Sequence, residues 1–306
     1  MAKTLRKITQ LLEPEFMAKL DTLDVLSRKI HHGRLQGERR SRRRGQSVEF
    51  ADHRPYVVGD DLRFVDWNIY ARLEQLFLKM FLEEQDLTVH IMVDVSGSVG
   101  SNISDQAADM DMREKYIKKL AAALGYVSMV NNNRVTMSTF ANGVVGQLAN
   151  MRGRNYLPEM AEFLLSATCS GASNFDSTCK QAVSGRIGSG IMIVLSDFMF
   201  KEGYEQGLRR LIGQKYDLYA IQVLTPDELE PKISGDLKLV DIEDSDTAEI
   251  TVSSALLKYY KRNLSAYCNE LKEFCTRRGG VYVLANASDA VETMVLKYLQ
   301  RVSLLH

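Results

Sequence analysis

Apolar residues arrive along this chain in two rhythms. Five short runs are dominated by apolar side chains: 87–94 (LTVHIMVD), 134–140 (RVTMSTF), 190–197 (GIMIVLSD), 217–224 (DLYAIQVL) and 280–284 (GVYVL). A strand with one wet face alternates, whereas a run without that alternation predicts a strand covered on both faces. Between the runs, apolar residues recur at helical spacing, which predicts helices at 112–130, 154–166, 175–184, 203–214, 253–278 and 288–303. Strands alternating with helices predict an α/β fold whose mainly parallel sheet carries helices on both faces.

Three stretches fall outside that rhythm. Residues 10–31 read as an amphipathic helix, with Phe16, Leu20, Leu23 and Ile30 on one side. Residues 46–86, broken by Pro55 and Gly59, read as short strands and turns, with LFLKMFL (76–82) as a strand. DLKLVDIEDSDTAEITV (236–252) alternates with period two around an acidic turn and reads as an inserted hairpin. The expected organisation is an N-terminal helix (1–33), a basic segment with a small β-rich module (34–86), and an α/β domain (87–306) with the hairpin insertion at about 232–252.

Composition narrows the functional classes. The 306 residues carry 39 Lys and Arg against 39 Asp and Glu, so no global field selects nucleic acid or a membrane surface. No run of 18 apolar residues predicts a spanning helix, and the N-terminus lacks a signal-peptide core. The four cysteines show no CxxC pairing and are expected as reduced thiols in a cytoplasmic protein. Charge is concentrated once, at 28–45, where eight Arg and Lys face a single acid, Glu38. Arg39, Arg40, Arg42, Arg43 and Arg44 can form a solvated face or dock an acidic partner. Without interleaved aromatics they fit nucleic acid poorly.

Candidate chemistry begins at VDVSGSVG (93–100). Asp94, Ser96 and Ser98 place oxygens at alternate positions where a buried strand ends, with Gly97 and Gly100 permitting a bend. In an open α/β sheet, ligands sit at the carboxyl ends of strands. Two further loops fit that location. Ser173 and Asn174 lie in SGASNF (170–175), and Asp197 ends the 190–197 run. Simpler roles exist for each: Ser173 as a helix N-cap and Asp197 as a turn or cap residue. Hydroxyls and carboxylates without Cys or His are hard-ligand chemistry, suited to Mg²⁺ or Mn²⁺ and less well to Ca²⁺.

Asp94-x-Ser96-x-Ser98, the Gly171-Ala172-Ser173-Asn174 loop and Asp197 together resemble the metal-ion-dependent adhesion site of the von Willebrand factor A fold, which is Rossmann-like. Ser173 stands where that family usually has Thr, and Phe198 stands where a Gly commonly follows the Asp. Upstream, EFADHRPYVVGDDLRFVDWNIYAR (49–72) resembles the bacterial domain-of-unknown-function family fifty-eight, whose members are encoded beside MoxR-type AAA ATPases. The resemblance implies a von Willebrand factor A-like domain with a metal held by Asp94, Ser96, Ser98, Ser173 and Asp197. It implies a protein partner whose acidic residue completes the coordination, and a MoxR-type ATPase as co-worker in assembling or activating other proteins.

Rival readings are a metal-dependent hydrolase and a metal-free scaffold that docks through its Arg-rich segment. The hydrolase lacks a base separate from the metal ligands. Neither a G-x-S-x-G elbow nor a P-loop is present. Asp60, Asp61 and Asp66, interspersed with Arg54, Arg63 and Arg72, are expected as ion pairs of the small module, with Trp67 as its anchor. The histidines lack metal-ligand spacing, and His90 is expected as a core residue.

Overall fold

A computed structural model describes residues 8–25, 49–82, 87–100, 112–184, 190–214, 216–233, 235–240, 247–302 and 304–305. The Arg39–Arg44 cluster, the 101–111 stretch with Asp105, Asp109 and Asp111, Glu83, Glu84 and the end of the expected 10–31 helix lie outside the described residues. The chain forms two compact units. One comprises Met1–Leu35 with Leu87–His306, the other Gln36–Asp86.

The large unit is a mixed α/β structure around a six-stranded sheet. Its strands are β3 (Thr88–Asp94), β4 (Arg134–Ala141), β5 (Gly143–Met151), β6 (Ile191–Ser196), β7 (Asp217–Leu224) and β10 (Val281–Asn286), in the order β10-β7-β6-β3-β4-β5. All neighbouring pairs are parallel except β4 with β5. That edge strand is absent from the sequence reading. Gly143 and Gly146 interrupt it, and its middle alternates between half-buried and exposed residues, so it lacks the apolar density of the others.

Each central strand feeds two cores because successive side chains point to opposite faces. Val89, Ile91 and Val93 pack into one apolar cluster and Met92 into the other. The Met112–Val130 helix fills the first core, burying Ile117, Leu120, Leu124 and Val127. The helices Phe175–Ser184, Glu205–Gly213 and Ser254–Thr276 contribute Phe175, Cys179, Leu208, Leu211, Leu271 and Cys275 to the second. Burying such a side chain contributes about 1.5–3 kcal/mol, and the two cores together fix the sheet.

The N-terminal helix is shorter than expected. Residues 8–11 are helical, a bend follows, and a second helix runs Pro14–Leu20, with Pro14 in its first turn, before giving way to a turn and an isolated bridge between Val25 and Leu305. The second helix belongs to the first core through Phe16 and Leu20. Asp21 accepts from Tyr126 Oη at 2.8 Å and from Arg154 at 2.9 Å, and Asn131 donates to the Leu23 carbonyl. The expected 288–303 helix is a short turn, Val291–Thr293, continued as a π-helix at Met294–Leu299. β8 (Gly235–Val240) and β9 (Thr247–Val252) pair antiparallel. No described helix is long and apolar enough to cross a membrane.

The small unit pairs β1 (Glu49–Pro55) with β2 (Phe77–Leu82) antiparallel. Between them lie a 3₁₀ turn at Leu62–Phe64 and a helix at Trp67–Leu73, where the sequence reading placed strands and turns. Asp66 caps that helix by accepting from the Asn68 and Ile69 N–H groups. The helix buries none of its residues, and Trp67, expected as an anchor, is largely exposed.

Candidate functional site

The strand order fixes where a site can form. From β3 the chain moves to β4 and β5 on one side, then returns to β6, β7 and β10 on the other. The order therefore reverses between β3 and β6, and the loops leaving these two strands diverge there, opening the crevice in which such sheets bind ligands. Asp94 ends β3, and Asp197 directly follows β6.

The first loop closes on itself through side chains. Asp94 is buried, and its Oδ1 accepts from the Ser96 N–H at 2.9 Å and the Ser96 hydroxyl at 2.7 Å. Ser96 Oγ and Ser98 Oγ are 3.0 Å apart. Asp94 Oδ2 accepts from Ser196 Oγ at 2.6 Å, and that same hydroxyl receives the Phe198 N–H at 2.8 Å. Ser196 thus ties the first loop to the third.

The second loop is stapled to the first by backbone. Gly97 N–H donates to the Gly171 carbonyl at 2.8 Å, and Ser170 N–H donates to the Val95 carbonyl at 2.9 Å. Close approach is enforced at Gly100, where a Cβ would stand 2.5 Å from the Cβ of Cys169. The helix that follows is capped by Asn174, whose Oδ1 accepts the Ser177 N–H at 2.8 Å. Ser173 is therefore not the cap. Its Oγ is buried and has no hydrogen-bond partner. A buried hydroxyl without a partner costs about 1–3 kcal/mol, so this orphan calls for an explanation.

The third loop places Asp197 between a turn and a cation. Its Oδ1 accepts the Met199 N–H at 3.0 Å, and its Oδ2 accepts from the Arg113 guanidinium at 3.0 Å. The same guanidinium nitrogen reaches Glu228 Oε1 at 3.0 Å. The other oxygen of Glu228 closes a capping box with Thr225, immediately after β7. Phe198 is fully buried among Phe175 and Phe200 and has φ of 57°, a left-handed conformation that costs a bulky residue about 1–3 kcal/mol. The Tyr267 hydroxyl donates to the Phe198 carbonyl, and Gln222 donates to the Asp197 carbonyl at 2.7 Å.

Electrostatics follow from this arrangement. The Arg113 guanidinium is shared by two carboxylates, Asp197 and Glu228, while Asp94 is bonded to hydroxyls and an N–H and feels the charge of Asp197. Burial, and after it the nearby charge of Asp197, push the Asp94 carboxyl up to about 7. The acid cluster of the small unit does not behave this way. Asp60 pairs with Arg54 at 2.7 Å and Asp61 with Arg63 at 2.6 Å, and these partners hold the Asp60 carboxyl below its ordinary value and raise the Arg63 guanidinium. His90 is buried beside Tyr216, and burial pushes its imidazole down to about 4. All four cysteines are free thiols.

Of the five expected ligands, Asp94, Ser96 and Ser98 meet directly, Ser173 stands on the loop stapled to theirs, and Asp197 follows β6, whose last residue hydrogen-bonds Asp94. Among the described residues no group of three or more His, Cys, Asp or Glu could hold a metal ion. A cation here would have to be held largely by hydroxyls, and the donors present fit a small hard ion that keeps waters. The sequence reading missed Arg113, Ser196 and Glu228. Thr225-Pro226-Asp227-Glu228 carries a readable capping-box signature, and Ser196 adjoins Asp197. Nothing in MREKY (112–116) marks Arg113, whose role depends on long-range contacts alone.

A family model described as "Protein of unknown function DUF58" matches residues 52–268. "Uncharacterized protein Rv1480" of Mycobacterium tuberculosis is 25% identical over 271 residues, spanning 83% of this chain and 80% of its own length. "Uncharacterized protein Mb1516" of Mycobacterium bovis matches to the same extent. Among solved structures, conserved hypothetical protein BatB of Bacteroides thetaiotaomicron covers 71% of this chain and 98% of itself at 13% identity and a TM-score of 0.43. An aerotolerance-related membrane protein of Bacteroides fragilis gives 15% identity and the same TM-score. Superpositions this loose carry no argument about fold family or function.

Proposed function

This chain belongs to the DUF58 family, and we propose that its large unit is a von Willebrand factor A-like module that binds a divalent cation and, through it, a carboxylate of another protein. Asp94, Ser96 and Ser98 would hold Mg²⁺ or Mn²⁺, with Ser173 and Asp197 joining directly or through water. When bound, the ion supplies a Lewis-acidic position that an Asp or Glu side chain can fill. The observation that carries this reading is the Ser173 hydroxyl, buried, without a partner and on the loop stapled to Asp94-x-Ser96-x-Ser98.

Two further features support it. Arg113 is divided between Asp197 and Glu228, and Asp94, close enough to feel the charge of Asp197, has no base among the described residues, so the site is rich in carboxylate. The location at the reversal of strand order is where an open sheet offers a crevice. We read the module as an interaction protein working with a MoxR-type AAA ATPase in assembly or activation of other proteins, as the family resemblance implies.

The test is association with a purified ATPase of that type, measured by surface plasmon resonance at constant Mg²⁺. Because the ATPase itself needs Mg²⁺ with its nucleotide, Asp94→Ala replaces chelation as the control. Binding by the wild type and loss in the variant supports the reading. Equal binding by both sinks the metal-bridged part.

A further inference from the structure

Arg113 is an unusual neighbour for a cation site. It sits in the first turn of the Met112–Val130 helix with its side chain 4% exposed, and one nitrogen bridges Asp197 and Glu228. A buried guanidinium is desolvated at a cost that only its acidic partners offset. Those partners have separate local duties. Asp197 also holds the third-loop turn through Met199 N–H, and Glu228 also caps the turn after β7. The guanidinium therefore joins the loops leaving β6 and β7 by bridging their two carboxylates.

We propose that Arg113 is the site's built-in counter-cation, which holds Asp197 in competition with a divalent ion, and that Glu228 sets how strongly it does so. The inference rests on the metal reading above and adds how the affinity is set. An arginine that only shaped the loops would weaken metal binding when removed. A competing charge does the opposite: its removal leaves Asp197 free and the site one unit more negative, so binding tightens. Removing the Glu228 charge leaves the guanidinium more fully committed to Asp197, so binding weakens. The two substitutions should act with opposite sign.

The experiment is calorimetric titration of Mg²⁺ and Mn²⁺ into chelator-stripped wild type, Arg113→Met, Arg113→Lys and Glu228→Gln, with the metal-induced rise in Tm as a second readout. We expect Arg113→Met to bind roughly tenfold tighter and to show the larger rise in Tm. Arg113→Lys keeps the charge and stays near wild type, and Glu228→Gln binds several-fold more weakly. Binding by Arg113→Met where the wild type is silent also supports the inference.

Shifts of the same sign in Arg113→Met and Glu228→Gln, or no shift in either, overturn the inference and leave the metal site standing. Should Arg113→Met fail to fold, Glu228→Gln decides: weaker binding with Arg113→Lys unchanged supports the proposal, and unchanged or tighter binding overturns it. Silence in every protein overturns the metal reading and this inference together.

Discussion

The carboxylates of the small unit and those at the sheet's carboxyl edge obey opposite rules. In Gln36–Asp86 each described Asp of the 60–66 stretch has its own base: Asp60 has Arg54, Asp61 has Arg63, and Asp66 has His53 and Lys79. At the sheet edge Asp94, among the described residues, accepts only from Ser96 and Ser196, and the Arg113 guanidinium is engaged by Asp197 and Glu228. The outcome shows in proton affinity. Burial pushes Asp66 up, yet His53, the Ile69 and Asn68 N–H groups and Lys79 more than offset it and leave the carboxyl at about 2. Asp94 moves the other way, to about 7. An acid that has its base is complete within the fold. In the proposed reading, a buried acid that faces hydroxyls and another acid is completed by a cation from outside.

The largest effect that would break this contrast is on Asp94 itself. Losing an outer-shell partner typically costs a metal site about 10–100-fold, so losing a direct ligand should cost at least about 100-fold. Asp94→Ala is expected to abolish Mg²⁺ binding, while Asp66→Ala leaves it intact and unwinds the Trp67–Leu73 helix that Asp66 caps. Titration calorimetry and circular dichroism check the two halves. Retained binding in Asp94→Ala would erase the distinction between the regions.

Next in size are the hydroxyls. Ser196→Ala removes the donor to Asp94 Oδ2 and the acceptor for Phe198 N–H. About a tenfold loss of Mg²⁺ affinity is expected, with lower Tm in the metal-free protein. Ser173→Ala should also weaken Mg²⁺ by about tenfold. Without metal, though, it should leave Tm unchanged or raise it, because it deletes an unpartnered buried group. A Ser173→Ala protein that melts lower without metal and binds Mg²⁺ normally would make Ser173 a structural hydroxyl.

The pH responses should have opposite slopes. Asp94 carries a carboxyl raised from 3.8 to about 7, so the folded state binds a proton that the unfolded chain has released across that window. Raising pH from 4 through 7 therefore costs the metal-free protein stability, and Tm should be higher at pH 5 than at pH 8. Below pH 7 Mg²⁺ binding should weaken and release protons, because the ligand must be ionised. Asp66 is lowered from 3.8 to about 2, so its contribution is present above pH 4 and lost as pH falls toward 2. Chemical denaturation across pH, with Asp94→Asn as control, separates the two. A metal-free wild type with the same slope as that control would contradict the raised carboxyl.

The smallest effect belongs to the surface pairs. The double variant Arg54→Met, Asp60→Asn should leave Mg²⁺ affinity unchanged, because the pair is half-exposed and lies in the other unit. A change in affinity there would show that the two regions communicate.

How much of this was readable in the sequence depends on whether a feature is local. β3, β6 and β7 announce themselves because both faces are buried, which writes apolar residues at consecutive positions. β5 is invisible to that signal because one face is wet and glycines break it. The Trp67–Leu73 helix was missed because it is only two turns long, and its apolar residues at helical spacing, Trp67, Tyr70 and Leu73, are exposed rather than buried. At the site, Asp94-x-Ser96-x-Ser98 is a local pattern and was legible. Arg113 lies 84 residues from Asp197 and 115 from Glu228, and only the folded sheet brings them together.

The central claim is that the Asp94 loop binds a divalent cation. It is tested most directly by titrating Mg²⁺, and separately Mn²⁺, into chelator-stripped wild type and Asp94→Ala at pH 7.5. The account predicts saturable one-site binding in the wild type and none in the variant. Equal heats in the two proteins, or silence in the wild type and in Arg113→Met alike, would contradict it.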